Sequence, residues 1–176
     1  MQIKNRYINR KDAMGKVILL CGKICSGKSY YSRKLRDELN AVIISPDEAT
    51  YDLLNNEQGE FFDIFSKRLI KYLTKKVGEI AQAGANVVFE RGLWSKTERQ
   101  EVRDYYKKLG IDCEIHYVWV DDATWKLNIS ERNKRVQEGN GGSDFYLDEG
   151  LMGKLESLWE EPGEEEYDVL YKVDRN

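Results

Sequence analysis

In this chain of 176 residues, the stretch best equipped for chemistry is Gly22-Lys23-Ile24-Cys25-Ser26-Gly27-Lys28-Ser29. It fits the spacing G-x-x-x-x-G-K-[ST] of a phosphate-binding loop. Glycines at such a loop let backbone N–H groups converge on anionic oxygens without interference from a Cβ, and the helix that follows adds the positive end of its dipole. Lys28 then reaches the β- and γ-phosphates of a nucleoside triphosphate, and the Ser29 hydroxyl ligates Mg2+. The expected nucleotide contacts run through Gly22, Lys23, Ile24, Cys25, Ser26, Gly27, Lys28, Ser29 and Tyr30. Cys25 occupies an unrestricted position and reads as an incidental reduced thiol.

Further candidates follow along the chain. Ser45-Pro46-Asp47-Glu48 closes an apolar run, and a carboxylate there faces the crevice that holds the phosphates, so Asp47 is the candidate base for the proton of an acceptor hydroxyl. Its competing role is to cap a turn. Phe89-Glu90-Arg91-Gly92 ends another apolar run; Glu90 is placed to hold the Mg2+ shell, and Arg91 to grip an anionic substrate or to stand in solvent. Trp125, Ile129, Arg132 and Val136 fall on one helical row. An arginine on that inward stripe needs an anion, so Arg132 and Arg135 are expected to clamp the γ-phosphoryl group as a lid that the glycine-rich segment 138–143 lets close. His116 lies within an apolar segment without triad partners and reads as a packed histidine. Trp94, Tyr51 and Tyr146 fall on expected loops and are candidates for stacking on a ring.

These residues need a scaffold, and the patterning supplies one. Residues 17–21 (VILLC) read as a strand buried on both faces, residues 28–39 as an amphipathic helix, and residues 41–45 as a second strand closed by Pro46. Apolar residues at Phe62, Phe65, Leu69, Leu73, Val77 and Ile80 predict a long helix stopped near Gly84. A third strand is expected over 86–89, a helix capped by Ser95 and Glu98, a fourth strand over 113–120 and a helix capped by Asp121 or Asp122 that reaches about Gln137. Leu147, Leu151, Leu155 and Leu158 then space as a short helix, EEPGEEE reads as a surface turn, and residues 167–173 as a last strand. Strands alternating with helices predict a doubly wound α/β sandwich with its site at the carboxyl ends of the strands.

Composition narrows the class. With 41% hydrophobic and 34% charged residues and twenty aromatics, the chain suits a single globular domain over 1–176 and not a disordered or fibrous one. The longest apolar runs are far short of the ~20 residues of a membrane-spanning helix. Three cysteines and one histidine do not make a four-ligand zinc site and fit a reducing, cytoplasmic setting. Net charge is −3, yet residues 1–40 carry ten Lys/Arg against three Asp/Glu while residues 148–176 carry three against ten. Residues 1–15 form a basic arm bearing Lys4, Arg6, Arg10 and Lys11, to which no role is assigned.

Taken together, VILLCGKICSGKS, SPDE, VVFERGLWSKTER, SERNKR and the tail FYLDEGLMGKLESLWEEPGEEE resemble, in order, the small P-loop kinases related to zeta toxins, chloramphenicol phosphotransferase and the polynucleotide-kinase group. The resemblance implies a three-layer, nucleotide-kinase-like P-loop NTPase sandwich. Its five-stranded parallel sheet has the order 2-3-1-4-5, and an arginine-bearing lid spans about residues 122–146. It further implies ATP and Mg2+ and phosphoryl transfer to a hydroxyl, with Asp47 as base, Lys28 and Ser29 on nucleotide and metal, and Arg132 and Arg135 in the lid. The expected acceptor is a small molecule: a metabolite, a nucleotide sugar or an antibiotic-like alcohol. Polynucleotide kinases of this group carry arginine three residues after the aspartate. Thr50 stands there, so a nucleic-acid 5′-hydroxyl is the lesser alternative, beside a nucleotide-binding switch without kinase activity.

Overall fold

The computed structural model describes residues 14–54, 59–142 and 144–174. Residues 1–13 of the basic arm, with Lys4, Arg6, Arg10 and Lys11, and Ser143 of the glycine-rich segment lie outside these residues.

The first strand, β1 (Val17–Cys21), is buried along its whole length, as the unbroken run VILLC requires. It lies at the centre of a five-stranded sheet of order β2-β3-β1-β4-β5, with β2 spanning Val42–Ile44, β3 Val87–Gly92, β4 Cys113–Trp119 and β5 Val169–Lys172. Every pairing is parallel. Val17, Ile18 and Leu19 stand opposite Val87, Val88 and Phe89, whereas Cys21 stands opposite Gly92, so the β1–β3 register slips at the carboxyl ends, where a site opens.

The crossovers are helical: α1 (Lys28–Leu39), α2 (Pro46–Leu54), α3 (Phe62–Gln82), α4 (Lys96–Lys108), α5 (Asp122–Gln137) and α6 (Glu149–Leu158). Alternation along β1 divides the core. Val17, Leu19 and Cys21 pack with Val77 and Ala81 of α3 and Val102 and Tyr106 of α4, while Ile18 and Leu20 pack with Tyr31 and Leu35 of α1. The result is the expected three-layer α/β sandwich, with helices on both faces of a parallel sheet.

Most element boundaries fall within a residue or two of the patterning. The Ser95–Glu98 capping box forms at the start of α4, and Asp121 caps α5 by accepting the Thr124 N–H. Three expectations change. Pro46 does more than close β2: proline fits the first helical position, where its missing N–H costs nothing, and α2 begins there. Asp47 therefore sits in the first turn of a helix. The third strand runs on through Gly92, so Glu90 and Arg91 belong to β3 and do not follow it. The acidic stretch is more than a surface turn, since Glu164–Glu166 form a short 3-10 helix whose last side chain is only 11% exposed.

Candidate functional site

The loop between β1 and α1 is shaped by its own sequence. A Cβ on Gly22 would lie 2.6 Å from Ser26 Oγ and 2.8 Å from Val118 O, so no larger residue fits there. Gly27 takes a φ of 95° and turns the chain into α1, whose Tyr30 and Tyr31 N–H groups bond back to its carbonyl at 3.1 Å. The neighbouring strand end is tied to the loop by the Gly22 N–H, which donates to Gly92 O at 3.2 Å. Lys28 Nζ is curled under the loop and donates to Gly22 O at 2.8 Å and Lys23 O at 2.6 Å. Burial pushes the Lys28 ammonium below its ordinary range, and the nearby Asp47 carboxylate opposes that shift. Asp47 itself is exposed at the mouth of the crevice.

Ser29 and Glu90, 61 residues apart in sequence, meet here: the serine hydroxyl is 3.5 Å from Glu90 Oε2. Ser32, one turn along α1, donates to the other carboxylate oxygen. A hydroxyl and a carboxylate side by side at the entrance to a phosphate loop form a donor set that suits Mg2+, an ion that takes few protein ligands beside phosphate and water. Among the described residues no group of three or more His, Cys, Asp or Glu could hold a metal by itself.

Helix α5 lies over the loop. Trp125 Nε1 donates to Ile24 O at 2.7 Å, Asn128 Nδ2 to Cys25 O at 2.8 Å, and Arg132 Nη1 stands 4.0 Å from Cys25 Sγ, so one helical face reads the loop at three successive turns. Burial pushes the Cys25 thiol up, against the pull of Arg132, which leaves it a poor nucleophile. Arg132 is 13% exposed, Arg135 52%, and both reach Asp144 at 3.3 Å. Phe145 completes this strap, its carbonyl accepting from Arg132 Nε at 3.2 Å and its ring lying 4.7 Å under the guanidinium. Asn133 holds the same strap through both the N–H and the carbonyl of Leu147, each at 2.8 Å.

The sequence-expected residues thus divide. Lys28, Ser29, Glu90 and Arg132 converge on the loop, with Asp47 close enough for its charge to act on Lys28. Arg135 lies farther out on the strap, and Tyr30 is 65% exposed. Arg91 is neither solvated nor free, with its side chain 14% exposed and 3.7 Å from Glu98 of the capping box. His116 is packed as expected, between Tyr31 Oη at 2.9 Å and Glu114 Oε2 at 3.1 Å. Tyr51 lies on α2 and not on a loop.

Sequence reasoning overlooked four residues. Trp125 lies on the inward row, yet its indole N–H and the Asn128 amide bind the loop backbone, and their spacing from Arg132 is the signal that points to it. Arg99 is 2% exposed, and its Nε is 2.7 Å from Glu166 Oε2. Its Nη1 donates to Leu93 O at 3.1 Å, beside the Gly92 carbonyl that holds Gly22. The pair lies under the site and fixes the turn after β3.

A phosphate loop between the first strand and first helix of a parallel sheet of this order defines a P-loop protein of the nucleotide-kinase type. Residues 17–145 match the model of a family described as an AAA domain, and the chain belongs to that family. The fold is shared with the APS kinase CysC of Mycobacterium tuberculosis, solved with AMPPNP and APS. There the TM-score is 0.66 and the identity 18%, over 93% of this chain and 91% of that one. A gluconokinase from Sinorhizobium meliloti gives a TM-score of 0.55 at 14% identity over 93% and 86%. Kti12 of Chaetomium thermophilum, in complex with ADP-AlF3, gives 0.64 at 16% identity over 89% and 88%. No curated protein matches the chain. Among the described residues no helix is long and apolar enough to cross a membrane.

Proposed function

We propose that the chain is a cytoplasmic kinase that uses ATP and Mg2+ to phosphorylate a hydroxyl of a small molecule. One observation carries the reading: Ser29 and Glu90 meet at the phosphate loop, while Asp47, exposed in the first turn of α2, is near enough for its charge to act on Lys28. A bare nucleotide switch needs the first pairing; the second gives a carboxylate away from the metal position, where an acceptor hydroxyl requires it.

In this mechanism Asp47 accepts the proton of the acceptor hydroxyl as its oxygen forms a bond to the γ-phosphorus, and the bond from that phosphorus to the β–γ bridging oxygen breaks to release ADP. Lys28 turns from the loop carbonyls to the β- and γ-phosphates, and Arg132 and Arg135 leave Asp144 to meet the charge on the transferred group. Ser29 and Glu90 would hold Mg2+, which when bound would supply neutralising charge at the phosphates. Arg91, drawn from Glu98, is the proposed contact for an anionic part of the acceptor. The order of motifs shared with the zeta-toxin and chloramphenicol phosphotransferase group supports a small acceptor, as do the APS kinase and gluconokinase of like fold.

Purified protein incubated with Mg2+, labelled ATP and a broad panel of hydroxyl-bearing metabolites is expected to release ADP in an acceptor-dependent way. Asp47→Asn is expected to lower that turnover by about a hundredfold or more while ATP still binds. Turnover untouched by Asp47→Asn, with Lys28→Ala abolishing nucleotide binding, would replace this reading with a nucleotide switch.

A further inference from the structure

A cavity of about 330 Å3 opens at the carboxyl end of β4, walled by Lys23 and Ser26 of the phosphate loop, by the segment from Tyr117 to Asp122 and by Glu161. Lys28, Ser29, Asp47, Glu90 and Arg132 are not part of that wall, so the cavity lies outside the reacting centre. We propose that it binds a short alkyl diamine as a dication, and that the diamine tightens nucleotide at the adjoining loop. The second half rests on the kinase reading for its nucleotide; the binding does not.

Charge selects the ligand. The wall sets three carboxylates, Asp121, Asp122 and Glu161, against the one ammonium of Lys23, an excess of two negative charges. Among the described residues no lysine or arginine forms an ion pair with any of the three. Asp121 accepts the Thr124 N–H at 2.9 Å, and Glu161 accepts from the Tyr117 hydroxyl and, at 2.9 Å, from the Trp159 indole. Such neutral donors orient a carboxylate and leave its charge uncompensated. Lys23 does not compensate it either, since its Nζ lies 5.2 Å from the centre of the Trp125 ring. No three acidic, histidine or cysteine groups among the described residues are placed to hold a metal ion. Charges spread in this way suit two ammonium groups on one flexible chain better than a single point cation, and Val118, Trp119 and Val120 offer apolar wall to the methylenes between them.

Ser26 points to a ligand independently of charge. It is 1% exposed, and its hydroxyl meets no hydrogen-bond partner among the described residues. It stands with the Val118 carbonyl, also of the wall, against the same side of Gly22. A buried hydroxyl without a partner is costly, and an ammonium N–H donated to its oxygen removes that cost. The position of Ser26 also couples the cavity to the nucleotide, because Ser26 and Lys23 belong to the loop that takes the phosphates. Two excess negative charges beside that loop oppose an anionic ligand, and a dication cancels the opposition. The effect is mutual by linkage, so nucleotide tightens diamine by the factor with which diamine tightens nucleotide.

The test is calorimetric titration of the full chain at low ionic strength with 1,4-diaminobutane, 1-aminobutane and 1,4-butanediol. Saturable binding of the diamine is expected, with the monoamine about tenfold weaker and no binding of the diol. Glu161→Gln and Asp122→Asn should each weaken the diamine about tenfold, and because Asp122 is exposed its variant tests the charge without disturbing the core. Ser26→Ala should weaken it about threefold, a loss that a merely acidic surface would not show. Glu164→Gln, which removes an exposed acid outside the wall, should leave it unchanged. Saturating diamine should raise the affinity for a non-hydrolysable ATP analogue about fivefold, and the analogue should raise that for diamine equally. Absent diamine binding, equal affinity for the monoamine or for Mg2+ alone, a loss in Glu164→Gln as large as in Glu161→Gln, parental binding by Ser26→Ala, or an analogue indifferent to diamine would overturn the proposal. Diamine binding by a chain that binds no nucleotide would sink the kinase reading alone.

Discussion

Two arginine–carboxylate clusters lie close to the phosphate loop and do opposite work. Beneath it, Arg99 is 2% exposed and grips Glu166 at 2.7 Å, a carboxylate that also takes the Gly163 N–H at 3.1 Å. Above it, Arg132, 13% exposed, and Arg135, 52% exposed, share Asp144 at 3.3 Å, a carboxylate that is itself 30% exposed. Chemically the pairs are alike; their surroundings differ. A charge taken out of water cannot afford to lose its partner, whereas partly wet pairs exchange partners at little cost. The lower cluster is therefore a fixture and the upper a latch, the one that the proposed mechanism calls on to hand its arginines to a phosphoryl group.

Breaking the fixture has the largest expected effect. Arg99→Ala leaves Glu166, 11% exposed, with only the Gly163 N–H and the more distant Lys96 at 3.7 Å and releases Leu93 O, and is expected to cost about 3 kcal/mol of folding stability in urea unfolding. A loss below about 2 kcal/mol would make the two clusters equivalent. Breaking the latch reads out elsewhere. Arg132→Ala is expected to cost less than Arg99→Ala in unfolding, about 1–2 kcal/mol because its carboxylate partner is part wet, and to lower turnover about a hundred- to a thousandfold, the usual scale for one donor lost from a developing charge. Equal turnover in parent and variant would remove Arg132 from the chemistry.

The sequence made these regions legible to different degrees. The phosphate loop is local: eight consecutive residues contain its glycines, lysine and serine, so the motif and its flanking strand and helix could be read directly. The sheet is readable because VILLC is apolar without a break and β2 and the start of β3 carry the same pattern, while β5 shows as an alternation. Glu90 is legible only as a carboxylate at a strand end facing the crevice; its meeting with Ser29 spans 61 residues. Arg99 and Glu166 gave no signal, being 67 residues apart on segments that look like solvated charge. Burial, not residue type, distinguishes them from Arg132 and Asp144, and burial is fixed only once α4 and the 3-10 turn have packed. Helix α2 went unread because Pro46 suits both the end of a strand and the start of a helix.

The smallest expected effect is the dependence of the fixture on acid. Burial alone would raise the Glu166 carboxyl, but the hydrogen bonds from Arg99 and from the Gly163 N–H outweigh it and hold the group below the ordinary value of 4.5. Asp168, bonded to Arg103 and to the Ile115 N–H, is likewise held below 3.8 in spite of its burial. With both folded values depressed, their stabilisation is complete above the unfolded values. As pH falls below about 4.5 the unfolded chain takes up protons first, so stability declines until the folded carboxyls protonate as well. Urea unfolding at a series of pH values from about 7 to about 3 is expected to show this decline, and Glu166→Gln to start lower at neutral pH and fall less steeply. A slope unchanged by Glu166→Gln would place the acid-sensitive contact elsewhere. Protonating folded Glu166 also loosens Arg99 from the turn that carries Gly92 and Leu93, and Gly92 O holds the Gly22 N–H, so nucleotide affinity should decline only at the acid end of that range, where the folded carboxyl itself takes up its proton.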